Sequence, residues 1–214
     1  GQPETFGCYL TIEALVVINL KLPKPRRWLV PFATGALFGA CALLKPPLGG
    51  GILVCGAYLL TREQAHAAKL PKMVRSALLI GAGFATPILL VFVWIAARGA
   101  WPAFWWTFHD FVPGYTKLNW NEAHASAWLY YALEEAFLKF SALSAFGFIA
   151  AIAMTPLHAR EREGIYLVLG IIAIQVTGIV MQGKFFPYHY AATLLMVAFM
   201  SGLGLYKLYR RCLV

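Results

Sequence analysis

Residues 77–97, ALLIGAGFATPILLVFVWIAA, form an apolar run without a charged side chain. A transmembrane α-helix needs about 20 such residues, so this stretch predicts a membrane span. Six further segments are also apolar, although the first and third along the chain are short: residues 5–20, 28–44, 48–60, 140–155, 165–181 and 190–206. We therefore expect an all-α polytopic transmembrane helix bundle of about seven spans.

The overall composition favours the same class. Of the 214 residues, 60% are hydrophobic and 13% are charged, whereas soluble domains carry about 25% charged residues. So little charge leaves too little polar surface to cover a soluble globule of this size. We expect residues 1–214 to form a single transmembrane domain with membrane lipids as partners. Because the net charge of +9 lies in short loops between apolar runs, we expect no nucleic-acid partner.

Lysine and arginine are distributed unevenly between the two sets of alternate loops. Of the 18 basic residues, 13 lie in one set, and the other set holds only Lys45, Arg98, Lys117, Lys139 and Lys184. Cytoplasmic loops carry an excess of positive charge, so the larger set is predicted to face the cytoplasm. This predicts a multi-pass membrane protein with its amino terminus outside and its carboxy terminus in the cytoplasm.

Small residues recur within the apolar segments. Gly35 and Gly39 have the GxxxG spacing that lets two membrane helices approach closely. We favour dense helix packing over a ligand role for them. The four cysteines form no CxxC pair, so we expect no disulfide framework, no metal site and no cofactor.

The predicted outward loop, residues 98–127, is rich in aromatic side chains. Five of them fall close to helical spacing, between Pro102 and Pro113: Trp101, Phe104, Trp105, Phe108 and Phe111. This pattern predicts an amphipathic helix in the membrane interface. Such a helix could simply anchor the bundle, which composition favours, or could cover a lipid-borne substrate. The loop also supplies His109, Asp110, Tyr115 and Lys117 as possible contacts to a sugar or phosphate.

Two further outward turns carry polar groups next to apolar spans. The turn at residues 182–190 contains Lys184, Tyr188 and His189, which could hold a lipid phosphate or could simply be interfacial side chains. Lys45 follows a span on the side with few cations. It is predicted either to bind an anion or to pair with Glu4 or Glu13. Glu13 is the carboxylate well inside a predicted span, where acids are commonly functional or paired.

The chain resembles the later part of the bacterial C-type membrane glycosyltransferases, the protein-mannosyltransferase-like group. The matching stretches, in order, are residues 2–6 (QPETF), 35–46 (GALFGACALLKP), 98–105 (RGAWPAFW), 113–116 (PGYT) and 182–189 (QGKFFPYH). The resemblance implies a location in the bacterial inner membrane, a polyprenyl-phosphate sugar as donor and an active site at the outer face of that membrane. On that basis Lys45, Lys184, Tyr188 and His189 would bind the donor phosphate.

One feature of that family has no counterpart in this sequence. The family's catalytic acid lies in the first outward loop, and no Asp or Glu here matches it; Glu4 is a weak substitute. We therefore expect an amino-terminal catalytic portion to be missing, and the catalytic residues remain unidentified. Enzymatic activity as a glycosyltransferase depends on such an upstream segment. The alternative is a catalytically incomplete relative that serves as an accessory subunit of a larger membrane complex, with partner membrane subunits.

Overall fold

A computed structural model describes residues 2–63, 69–117, 141–154, 158–182 and 187–213, together with Ala127, Tyr130, Tyr131, Glu134 and Pro156. These residues form helices and turns and contain no β-strand. The α-helices are α1 (Pro3–Val17), α2 (Leu29–Leu44), α3 (Gly51–Glu63), α4 (Lys69–Ala97), α5 (Trp101–Trp106), α6 (Val112–Lys117), α7 (Ala142–Ala153), α8 (Ala159–Gln182) and α9 (Ala191–Cys212). Short 3₁₀ turns occupy Lys24–Arg26, Pro46–Gly50 and Pro187–Tyr190, and a π-helical turn, Thr107–Phe111, joins α5 to α6.

Each of the seven predicted apolar segments contains one helix, from α1 to α4 and from α7 to α9. Within the described part of the chain, four stretches are long and apolar enough to cross a bilayer: Lys24–Leu44, Leu70–Ala97, Ala159–Gln182 and Tyr188–Cys212. The helices α1, α3 and α7 are shorter, with 15, 13 and 12 residues. The predicted helical bundle is confirmed, and its four apolar helices indicate a membrane protein. That all seven helices cross the bilayer remains a prediction.

The helices α2 and α4 lie side by side with their backbones in contact. A methyl group on Gly35 would collide with the carbonyl oxygen of Ile80, and one on Gly39 with that of Phe84. From the other side, Gly83 of α4 faces the carbonyl oxygen of Phe32. Residue numbers increase together along both helices, so the pair is parallel. The predicted GxxxG contact is therefore present, with Gly83 as its counterpart.

A second parallel pair is formed by α7 and α9. Gly147 faces the carbonyl oxygen of Ser201 at 2.5 Å from an ideal Cβ, and Gly204 packs against the backbone of Gly147. The Ser201 Oγ lies 2.7 Å from the carbonyl oxygen of Ser144 and 2.8 Å from that of Val197, and its one proton can be donated to either. Hydroxyl hydrogen bonds of this kind join helices where water is absent.

The end of this second pair is closed by a buried lysine. Lys207 of α9 is 2% exposed and its ammonium lies 2.5 Å from the Glu161 carboxylate at the start of α8. It also lies 3.4 Å from the carbonyl oxygens of Ala151 and Met154, at the end of α7. A cation at this position satisfies the last carbonyl groups of α7 and interacts favourably with the helix dipole. The Lys207 ammonium, near the end of α9, therefore interacts with the start of α8 and the end of α7.

The core between the two pairs is apolar. Side chains from α1, α2, α3, α8 and α9 meet there, among them Ala14, Ile18, Phe38, Cys41, Cys55, Ile171, Met196 and Met200. By contrast, α4 exposes large apolar residues along most of its length, including Leu78, Leu89, Leu90, Val93 and Trp94. An exposed face of this kind suits contact with lipid rather than with water.

Two glycines on α4 provide a matched test of the α2–α4 contact. A side chain at Gly83 would meet the backbone of α2, whereas nothing lies within 4 Å of a Cβ built on Gly81. We expect Gly83→Leu to destabilise the protein by roughly 3 kcal/mol because the two backbones must separate, while Gly81→Leu is close to neutral. The measurement is thermal unfolding in detergent micelles, followed by tryptophan fluorescence. Equal losses from the two substitutions would contradict the observed helix pairing.

Candidate functional site

Glu4 is a carboxylate buried at the very start of a helix. Pro3 occupies the first turn of α1, where its missing N–H costs no hydrogen bond. Glu4 follows it, and the positive end of the helix dipole favours a negative charge there. Its side chain is only 3% exposed, so a partner charge is required nearby.

Lys45 supplies that partner from the end of α2. The residue before a proline is driven out of the helical conformation, and Lys45, preceding Pro46, is extended with φ −162° and ψ 120°. Its ammonium lies 2.6 Å from Glu4 Oε1, while its side chain keeps 21% of its surface exposed. Of the two alternatives left open by the sequence, the structure shows the pair with Glu4.

His189 is the third member of the cluster. It lies in the 3₁₀ turn Pro187–Tyr190 that leads into α9, is 4% exposed, and places Nε2 at 3.8 Å from Glu4 Oε1. The ring of Tyr188 meets the imidazole edge-on, with 4.6 Å between ring centroids. Glu4, Lys45 and His189 come from three distant parts of the sequence, and we call them the rim cluster.

The arrangement has a definite chemical character. One carboxylate oxygen, Oε1, faces both the lysine and the histidine, while the buried Oε2 accepts no hydrogen bond from the described residues. The rim cluster therefore places a partly exposed ammonium against a buried carboxylate, with an imidazole beside them. Such a group can contact an anion by charge-assisted hydrogen bonds.

The other predicted site residues lie in different surroundings. Tyr188 is 38% exposed beside His189 and lies within electrostatic range of Glu4 and Tyr115. Glu13 is exposed on the surface of α1, about 13 Å along the helix axis from Glu4, so it is not part of the cluster. Lys184 and the side chain of Lys117 lie outside the described residues.

The aromatic segment after α4 is helical, as predicted. Gly99, with φ 64°, ends α4 in a left-handed turn, and the Ala100 N–H bonds the carbonyl of Ile95. Phe92 of α4 then contacts the rings of Trp101 at 6.0 Å and Phe104 at 5.4 Å. The placement of this segment in a membrane interface remains a prediction.

The polar residues of this segment point away from the bundle core. His109 and Asp110 are both exposed, and the His109 ring lies 5.2 Å from that of Trp105. Tyr115 is also exposed, and its ring stacks on Phe111 at 6.0 Å. Among the described side chains of this segment, Tyr115 lies within electrostatic range of Tyr188.

Sequence reasoning underestimated Glu4. It appeared there only as one of two partners for Lys45 and as a weak substitute for a catalytic acid, yet both Lys45 and His189 face it. The signal that could have found it is Pro3-Glu4 in the first turn of a helix. That pattern places a carboxylate at the helix end, close to the loops of neighbouring helices.

No known protein family, curated protein or solved structure matches the chain. The candidate site therefore stands on the geometry described above.

The Glu4–Lys45 pair can be tested by removing its members singly and together. Lys45→Met leaves a buried carboxylate without its cation and should cost about 3 kcal/mol of stability. Glu4→Gln should cost less because the partly exposed Lys45 can return to water. The double variant Glu4→Gln/Lys45→Met should recover most of the loss. Thermal unfolding in micelles measures all three, with Glu13→Gln as the control on the same helix, and strictly additive losses would contradict the pair.

Proposed function

We propose that the protein is a membrane glycosyltransferase-like protein that binds a polyprenyl-phosphate sugar at the outer face of the bacterial inner membrane. One observation supports this most: the rim cluster brings Lys45 and His189 together at one end of the bundle around a buried carboxylate. These residues belong to two of the segments in which the sequence resembles the C-type glycosyltransferases.

In this proposal the phosphate of the donor lies against Lys45, with His189 and Tyr188 beside it. Lys45 keeps part of its side chain exposed, so a lipid phosphate can reach the ammonium without breaking the bundle. A phosphate oxygen close to Nζ would compete with Glu4, whose burial holds the cation in place. Lys184 was predicted to add a second cation and would do so from the same turn as His189.

The reaction that the resemblance implies is the transfer of a sugar from the lipid phosphate to a hydroxyl acceptor. The acceptor oxygen forms a bond to the anomeric carbon as the bond between that carbon and the phosphate oxygen breaks. The polyprenyl phosphate leaves with the electron pair, and nearby cations stabilise its charge. The acceptor proton needs a base. Glu4 is poorly suited to that role because it is buried and bound to Lys45, so the proposal assigns the base to a residue outside the rim cluster.

The aromatic helices α5 and α6 are proposed to cover this site from the membrane side. Trp105, Trp106 and Phe108 are each about half exposed, which suits contact with lipid chains at the interface. Tyr115, near the end of α6, lies within electrostatic range of Tyr188, and we propose that the segment extends toward the rim cluster. A polyprenyl chain lying along this surface would present its phosphate to Lys45.

The proposed orientation places the rim cluster outside and the carboxy terminus in the cytoplasm. It follows from the excess of basic residues in the opposite loops and from seven helices that alternate in direction. In such an arrangement α1, α3, α7 and α9 run inward, which agrees with the parallel pairing of α7 with α9.

An accessory subunit is the second candidate function. The observation that favours it is the short contact between Lys45 and Glu4, because a cation already paired can be purely structural. Such a subunit would pack its exposed apolar helices against partner membrane subunits.

Binding of polyprenyl monophosphate separates the two candidates. The variant Glu4→Gln/Lys45→Met removes the cation without leaving a buried charge, and we expect it to weaken binding at least tenfold, since a charge-assisted hydrogen bond contributes about 1.5–3 kcal/mol. The measurement is a titration of the full chain in nanodiscs, with uncharged polyprenol as the matched ligand.

Arg98→Gln is the control substitution, because Arg98 is an exposed cation of the same set of loops that does not belong to the rim cluster. It should leave binding within about twofold of the parent protein. If the double variant binds polyprenyl monophosphate as tightly as the parent, the phosphate site is wrong. In that case, stoichiometric co-purification with other membrane proteins would support the accessory subunit.

A further inference from the structure

At the end of the bundle opposite to the rim cluster, cationic side chains line a cleft of about 760 Å³. Six of its fifteen lining residues are basic, and none of the described residues that line it is a carboxylate. We call this the basic cleft, and its cations are Lys21, Lys24, Arg27, Arg62, Lys72 and Arg75. The excess of basic residues in these loops predicts positive charge on this side of the protein. It does not predict that six of these residues line one cavity.

The cleft is built from three elements. Lys72, Arg75, Ser76 and Leu79 lie three or four residues apart on α4, so they share one helix face. The connection between α1 and α2 supplies Lys21, Lys24 and Arg27 from the opposite wall. The third element is the end of α3, where Arg62 donates a hydrogen bond to the carbonyl of Ile18 at 3.2 Å and lies over the Tyr58 ring at 5.4 Å.

Four of the six cations are available for a ligand. Lys21, Lys24, Lys72 and Arg75 are exposed and form no salt bridge with any carboxylate in the described part of the chain. Like charges gathered around one cavity repel each other, so an anion that enters the cleft is strongly favoured. The cleft therefore has the electrostatic character of a phosphate site.

The remaining lining residues indicate that the anion carries an apolar part. Leu20, Leu22, Trp28, Val30 and Leu79 line the same cleft between the cations. Two of the four candidate membrane spans, Lys24–Leu44 and Leu70–Ala97, begin at the cleft. The cleft therefore lies at the depth where the hydrocarbon region ends and lipid headgroups begin. Trp28, which is exposed, has the position of an interfacial anchor.

We propose that the basic cleft binds the phosphate headgroup of an anionic phospholipid, with the cations around the phosphate and the apolar residues along the upper part of its chains. This site is separate from the rim cluster and does not depend on the proposed transferase function. It assigns a lipid partner of defined charge to the end of the bundle where α2 and α4 begin.

The test compares two double substitutions that remove the same charge. Lys72→Gln/Arg75→Gln changes exposed residues inside the cleft, and Arg210→Gln/Arg211→Gln changes exposed residues at the end of α9 that do not line it. The full chain in detergent is titrated with phosphatidylglycerol, and bound lipid is counted by native mass spectrometry. We expect the cleft variant to lose about tenfold or more in affinity, and the α9 variant to change by less than twofold.

Two further ligands separate the possible sources of the phosphate. Phosphatidylcholine, which has no net charge, should bind at least tenfold more weakly than phosphatidylglycerol, and millimolar inorganic phosphate should not displace the bound lipid. Equal losses from the two double variants would mean general surface electrostatics and would overturn the proposal. Displacement by inorganic phosphate alone would assign the cleft to a soluble anion and would overturn the lipid assignment.

Discussion

The contact between the backbones of α2 and α4 is the constraint on which the basic cleft depends, and α2 also provides Lys45 of the rim cluster. Gly35 and Gly39 of one helix and Gly83 of the other leave room for nothing larger than hydrogen. Because the pair is parallel, both helices begin at the basic cleft. At its other end, α2 places Lys45 next to Glu4. About 24 Å of helix separate the two ends of α2. A change in the register of this pair would therefore displace Lys72 and Arg75 on α4 from the cations of the connection between α1 and α2.

Apart from Glu13, charged side chains on the described long helices lie near the helix ends, for a physical reason. The middle of each long helix is apolar, so a charged side chain finds water, a partner or a helix dipole only near a terminus. Glu4 with Lys45 and Lys207 with Glu161 are ion pairs at such termini, each with one fully buried member. The cations of the basic cleft differ because no described carboxylate lines the cavity with them. The ion pairs join helices, whereas the unpaired cations of the basic cleft favour the binding of an external anion.

Hydropathy along the sequence located seven helices, and the glycine spacing identified one contacting face of α2. Glycine spacing alone could not identify Gly83 as the opposing residue, since that contact depends on α2 and α4 being neighbours although α3 lies between them in the sequence. The start of α4 at Lys69 rather than Ala77 was also missed, because a helix continues through polar residues beyond the bilayer. Lys45 was singled out because it lies in the predicted outward loops, which contain few cations. The joint burial of Glu4 and His189 and the formation of the basic cleft, by contrast, are products of tertiary packing.

The proposed alternation of seven crossings, which would put the rim cluster outside and the basic cleft inside, is tested most directly by thiol labelling. Cys8, Cys41 and Cys55 are buried and Cys212 is exposed, so the native chain carries one accessible thiol near its carboxy terminus. A membrane-impermeant maleimide should label Cys212 in inside-out vesicles only. In a Cys212→Ser background, Gly114→Cys, at an exposed position beside Tyr115, should be labelled in right-side-out vesicles only. Labelling of both positions from the same face would contradict the proposed arrangement.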